Sequence, residues 1–219
     1  MSSPTAITFD CYGTLIDWEK GIKRSSQRIL GEGYPVEEIY ERWRQIELDI
    51  VRGPYMLYRD VLKRSLEHTL GKIGLEYRPS HGNALVEAVG SWSPFADVRH
   101  SLSTMRQRGY KLAIISNIDN DILAKSLEHI GVPFDALITA ENVRVYKPST
   151  KMFETALRQL NLPPEKVMHV GCSILLDIKP AAKMGIPTVL VRRSGRMIPK
   201  ERVEPDVTVD DLGGLLALL

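Results

Sequence analysis

Cysteine is nearly absent from this sequence: its 219 residues hold two, Cys11 and Cys172, with no C-x-x-C spacing. Neither a disulfide framework nor a cysteine-based zinc site has support. An excess of one charge is missing too. The 29 Lys and Arg against 27 Asp and Glu leave +2, and no basic run is interleaved with aromatics, so no nucleic-acid partner is expected. Arg192, Arg193, Arg196 and Lys200 make one local basic cluster, read as a solvated loop. No apolar run approaches the roughly 20 residues of a membrane span, and no membrane partner is expected. The residues before Asp10 lack a charged start and a long apolar stretch, so no signal peptide is expected and the location should be cytoplasmic. No repeats or low-complexity segments occur. With 43% hydrophobic, 26% charged and 7% aromatic residues, the chain is of ordinary globular composition and long enough to bury a core without staples.

What is present begins at Ala6-Ile7-Thr8-Phe9-Asp10-Cys11-Tyr12-Gly13-Thr14-Leu15. An apolar strand ends on a carboxylate, followed by a glycine and a small hydroxyl residue that permit a tight turn. In an open α/β sheet, functional groups collect past the carboxyl ends of strands. Asp10 is therefore a candidate nucleophile or metal ligand, or simply a helix cap.

From about Asp17 to Gly90 the apolar residues recur at helical spacing: Ile22, Ile29 and Leu30; Ile39, Trp43, Ile46 and Ile50; Leu57, Val61, Leu62, Leu66 and Leu70. Beyond Trp92-Ser93-Pro94-Phe95, a return linker, strands and helices alternate. Strands are predicted at Lys111–Ile115, Ala136–Thr139, Val167–Val170, Pro187–Val191 and Asp206–Val209. Helices are predicted at His100–Arg108, Asp121–Ile130, Ser149–Leu160, Ile178–Met184 and from Asp211 to Leu219. Repeated β-then-α units predict a parallel sheet covered on both faces, an α/β Rossmann-like core that the first strand joins across the helical stretch. The predicted division is a core of residues 1–16 and 93–219 with an inserted helical cap of residues 17–92.

On one edge of such a sheet Asp10, Ser116-Asn117, Lys147 and the turn from Gly171 to Asp177 can converge. Each alone has a bland reading as a cap or a loop residue; together they form a set. Phe9-Asp10-x-Tyr12-Gly13-Thr14-Leu15-x-Asp17, Ser116-Asn117, Lys147-Pro148 and Gly171-x-Ser173-x-x-x-Asp177 resemble the four motifs of the haloacid dehalogenase superfamily, and within it the L-2-haloacid dehalogenases. The resemblance runs over nearly the whole chain. It implies that Asp10 is the nucleophile, held by Thr14 and kept ionised by Lys147. Ser116 would donate to the substrate or to an Asp10 oxygen. Asn117 would help hold the leaving group, and Asp177 would anchor Lys147 or a hydrolytic water.

Phosphatases of the superfamily carry a second acid two residues after the nucleophile, where this chain has Tyr12. A phenol, with a pKa near 10, does not replace a carboxylic acid as proton donor. A halide leaves without a proton, so Tyr12 fits a dehalogenase, where it would wall the substrate's carbon. The family's halide-receiving arginine lies in a setting like Trp43-Arg44-Gln45, making Arg44 the candidate, with Arg42, Arg52 and Arg59 as rivals. Three positions depart from the family's dehalogenases: Cys172 and Ile174 replace a serine and an asparagine, and Phe153 replaces a tyrosine. Ser173 is a candidate to compensate as a substrate-binding group. Of the five histidines, His169 is read as a packed residue of a buried strand.

The expected reaction is displacement of halide from a short 2-haloalkanoic acid through an ester on Asp10, without metal or other cofactor. The alternatives are a magnesium-dependent phosphatase, with Asp10, the Tyr12 carbonyl and Asp177 at the metal, and a low-activity anion-binding relative. A cysteine at position 172 is a poor ligand for a hard cation. A homodimer is implied only by the resemblance.

Overall fold

A computed structural model describes residues 4–193 and 203–219. Arg196 and Lys200 of the basic cluster lie outside those residues. Six parallel strands, β1 (Ala6–Phe9), β2 (Lys111–Ser116), β3 (Ala136–Thr139), β4 (Val167–Gly171), β5 (Thr188–Val191) and β6 (Val207–Val209), form one sheet in the order β3-β2-β1-β4-β5-β6. The central strand is β1, with Ala6 paired to Lys111 on one side and Val167 on the other. Its four side chains are all buried, as expected of a strand covered on both faces. The predicted α/β core is what the chain builds.

Of the five helices between β1 and β2, the first four are α1 (Trp18–Leu30), α2 (Val36–Val51), α3 (Tyr58–Lys72) and α4 (Pro79–Val89). They pack chiefly on one another as an inserted helical cap. Asp17 opens α1 by accepting a hydrogen bond from the Lys20 N–H, and Gly31, at φ +96°, ends it. The two linkers of the cap run side by side: Phe95 N–H donates to Leu15 O, and Asp17 N–H to Ser93 O. The remaining helices belong to the core: α5 (Val98–Gln107), α6 (Asn120–Ile130), α7 (Ala140–Val143), α8 (Thr150–Leu160), α9 (Lys179–Lys183) and α10 (Leu212–Leu216). No described helix is long and apolar enough to cross a membrane.

One reading needs correction. Arg193 is not solvated. Its side chain is 6% exposed, donates to Thr14 O at 2.9 Å and Asp97 at 2.7 Å, and lies over the Phe95 ring at 4.3 Å. It fastens the turn after β1 to the start of α5. A cation surrounded by others in sequence reads as solvent-facing; only the tertiary fold supplies Asp97 and a carbonyl to receive it.

Candidate active site

The strand ends converge as the parallel topology requires. Asp10 leaves the end of β1, its N–H bonded to Val170 O, and is 7% exposed. Its Oδ2 accepts a hydrogen bond from the Thr14 hydroxyl at 2.7 Å, and its Oδ1 accepts from Lys147 Nζ at 2.8 Å. The same ammonium donates to Asp177 Oδ1 at 2.6 Å. Lys147, 2% exposed, thus stands between two carboxylates. Two glycines make room for this closeness. Gly13 has φ +96°, and a Cβ there would come within 2.9 Å of Cys172 Sγ; a Cβ on Gly171 would meet Asp177 at 2.5 Å.

The charges follow from this packing. One ammonium serves two buried carboxylates, so they do not ionise with equal ease. Burial works against the Asp177 anion, but Lys147 and then His169 outweigh it and hold the carboxyl down at about 2. Asp10 is shifted the other way: burial raises it, Lys147 opposes, and the Asp177 charge raises it further. Burial lowers Lys147, yet the two carboxylates overcome that and keep it protonated.

Other predicted residues are engaged differently. Asn117 is used on the protein: its Nδ2 donates to Lys147 O at 3.2 Å, and Lys147 N–H donates to its Oδ1 at 2.7 Å. It clamps the loop that carries the ammonium. Ser116 is buried at the end of β2. The Ser173 hydroxyl accepts from Leu176 N–H at 3.1 Å, and the Ser173 N–H donates to Asp177 Oδ2 at 3.0 Å, so this residue shapes the turn around Asp177. The Tyr12 hydroxyl pairs with the Ser126 hydroxyl at 2.8 Å, and its ring meets Trp18 edge-on at 5.5 Å. Burial raises that phenol well above its ordinary value. The Tyr12 hydroxyl is thus engaged with the protein and stays protonated at neutral pH.

Arg44 is not brought to this cluster. Its side chain is 51% exposed and lies 3.5 Å from Glu41. The apolar period of α2 buries Ile39, Tyr40, Trp43 and Ile46, which leaves position 44 off the packed face. The three rivals are also held by carboxylates: Arg42 by Glu38, Arg52 by Asp49, and Arg59 by Asp119 and Asp121.

Two contributors escape a reading of the sequence. His169, fully buried on β4, has Nδ1 2.9 Å from the Thr8 hydroxyl and Nε2 3.6 Å from Asp177 Oδ1, longer than a direct hydrogen bond. Phe153, the departure on α8, packs its ring edge-on against this imidazole at 4.9 Å. Asp119 caps α3 from the core: it accepts from Tyr58 N–H at 2.7 Å, Arg59 N–H at 3.0 Å and Arg59 Nε at 3.0 Å. The motif period marks neither residue, because their partners are remote in sequence.

Asp10, Cys172 and Asp177 bring ligand atoms within 4.8 Å of one another. As a magnesium set they fit poorly. Hard cations take oxygen, whereas here one donor is a thiol and an ammonium already bridges the two carboxylates. Cys172 Sγ lies 3.9 Å from Asp10 Oδ2, and burial pushes its thiol up to about 12, so it is an inert group at neutral pH.

A parallel sheet with an inserted helical cap and an Asp–Thr–Lys–Asp cluster at the strand ends defines a hydrolase that works through an aspartate. The family model of haloacid dehalogenase-like hydrolases matches residues 4–185, and the chain belongs to that family. Among its relatives, the (S)-2-haloacid dehalogenase of Pseudomonas sp. (strain YL) is 30% identical, covering 97% of this chain and 93% of that protein. A dehalogenase solved with an intermediate complex superposes with a TM-score of 0.90 at 26% identity, covering 100% of this chain and 98% of its own. The L-2-haloacid dehalogenase from Xanthobacter autotrophicus with chloropropionic acid covalently bound superposes at 0.84 and 27% identity, covering 98% of each chain.

Proposed function

We propose that this protein hydrolyses short 2-haloalkanoic acids, with Asp10 as the covalent nucleophile. The observation that carries the reading is the Asp10 carboxylate held by Thr14 at 2.7 Å and Lys147 at 2.8 Å, with a phenol already paired to Ser126 where a proton-donating acid would stand.

An Asp10 oxygen attacks the carbon bearing the halogen from the side opposite the C–X bond. The C–O bond forms, the halide leaves with the bonding pair, and the carbon inverts. The product is an ester on Asp10. Water then adds to the ester's acyl carbon, and the Lys147 ammonium faces the oxygen on which negative charge develops. Cleavage of the acyl C–O bond regenerates Asp10, frees the 2-hydroxy acid and releases one proton. Asp177, held strongly ionised, keeps Lys147 in place; His169 and the Ser173 N–H position Asp177. Ser116 is the candidate to meet the substrate's carboxylate at the end of β2. No step is routed through a metal.

Single turnover in ¹⁸O-water tests this directly. The label is expected in the Asp10 carboxylate before it reaches the product; label entering the hydroxy acid first overturns the covalent route. Halide release from 2-chloropropanoate in the presence of a chelator, with no magnesium-dependent phosphate release, separates this reading from the phosphatase alternative. The same reading takes residues 17–92 as the unit that opens for substrate, places the protein in the cytoplasm and expects a homodimer, which light scattering tests.

A further inference from the structure

Thr14 has a second partner that the chemistry above leaves unused. The residue is fully buried, and its hydroxyl and its carbonyl serve different groups. The hydroxyl donates to Asp10 Oδ2 at 2.7 Å; the carbonyl accepts from Arg193 Nε at 2.9 Å. Among the described residues no other donor reaches that carbonyl. Thr14 sits in a turn, outside any helix or strand. Its own N–H and those of Leu15 and Ile16 all converge on Cys11 O, at 3.3, 2.7 and 2.9 Å. The Thr14 carbonyl therefore has no backbone partner to fix it. A tilt of that peptide swings the hydroxyl away from Asp10.

Arg193 is itself held. Its Nη1 donates to Asp97 Oδ1 at 2.7 Å, and its guanidinium lies over the Phe95 ring at 4.3 Å. The other Asp97 oxygen accepts from Leu212 N–H at 2.8 Å, which stops the carboxylate from turning. Phe95 donates its N–H to Leu15 O, one residue beyond Thr14. Two donors aimed in different directions from one flat, stacked group are what a guanidinium supplies and an ammonium does not.

We propose that Arg193, set by Asp97, is a positioning residue for the nucleophile: through the Thr14 carbonyl it holds the turn whose hydroxyl orients Asp10. This rests on the reading of Asp10 as the attacking group. The relay runs from Asp97 through Arg193 and Thr14 to Asp10, over hydrogen bonds of 2.7, 2.9 and 2.7 Å. It keeps the carboxylate in one orientation towards the substrate's carbon, and a hydrogen bond donated to a carboxylate favours its ionised form.

A pair that only stiffened the cap linkers would behave differently, and charge separates the two cases. The other ionisable groups around Asp10 are Lys147, Asp177, Cys172, Cys11 and Tyr12, and neither Arg193 nor Asp97 bonds to any of them. Through space, losing the Arg193 cation disfavours the Asp10 anion, and losing the Asp97 anion favours it. Through the relay both losses act with one sign, because each frees the turn and weakens the Thr14 bond.

The test is the pH dependence of kcat/KM for 2-chloropropanoate in Arg193→Gln, Asp97→Asn and Thr14→Val, and in each of the first two combined with Thr14→Val. Arg193→Gln and Asp97→Asn should both move the acid limb up by about 0.5–1 pH unit and lower kcat by about 3–30-fold. Thr14→Val should do at least as much. Beside Thr14→Val neither substitution should move the limb further, since the relay is already cut. Shifts of opposite sign, no shift in either variant, or shifts undiminished beside Thr14→Val overturn the proposal. A readout without turnover is the ¹³C titration of the Asp10 carboxyl, assigned by its loss in Asp10→Asn, where the same pattern is expected and the same outcomes overturn it. If the wild type releases no halide, the dehalogenase reading fails, and this titration still decides the relay. If Arg193→Gln does not fold, Asp97→Asn carries the test alone: an upward shift there runs against its charge effect and supports the relay, and a downward or absent one overturns it.

Discussion

Lys147 Nζ balances both Asp10 and Asp177 at one atom, and in the proposed reaction it stands where charge develops on the ester oxygen. Removing it leaves two buried carboxylates without a cation, the costly way to break a buried ion pair. Lys147→Ala should lower kcat by on the order of 10²–10³, measured as halide release with the fold checked by circular dichroism. The raised Asp10 sets the acid side of the pH profile. Asp10 must be ionised to attack, so kcat/KM should be lost as pH falls through a midpoint above the ordinary aspartate value. Lys147 and Asp177 change charge outside that window, which leaves the limb to Asp10. Arg44→Ala should leave kcat/KM within about twofold, as for a half-exposed surface ion pair. The motifs made Asp10, Thr14, Lys147 and Asp177 legible because each follows a strand end. Arg44 shares its sequence setting with a relative's arginine, yet α2 sets its side chain against Glu41, off the helix's buried face, which the setting does not reveal. His169 was hidden because its partners, Thr8 and Asp177, come from a neighbouring strand and a later turn.

The helix α3 lacks a cap of its own: Leu57 precedes it, with no side-chain acceptor. Asp119, fully buried, supplies one from the core and takes Arg59 as well. Such trans-capping cannot be read from local sequence, since the usual signal is a polar residue just before the helix. The strands were legible for the opposite reason: each is a short apolar run between helical patterns, and burial on both faces demands that composition. Asp119→Ala should cost about 2 kcal/mol as a lost cap, lowering Tm by about 4–8 °C. It should also raise KM, because Tyr58, which begins the helix Asp119 secures, packs on Tyr146 next to Lys147. A variant that loses stability with KM unchanged would confine Asp119 to the fold.

Asp10, the proposed nucleophile, directly follows the central strand of the sheet, and that strand closes against partners far along the chain on either side, Lys111 and Val167. Its cation arrives from position 147, and the second carboxylate from position 177. Translation therefore delivers the reactive carboxylate first and its activating neighbours long afterwards. Contacts this distant in the chain form slowly, since loop closure comes before their reward. A growing polypeptide thus bears a plain aspartate at position 10 until the segments that carry Lys147 and Asp177 have been made and have folded against it.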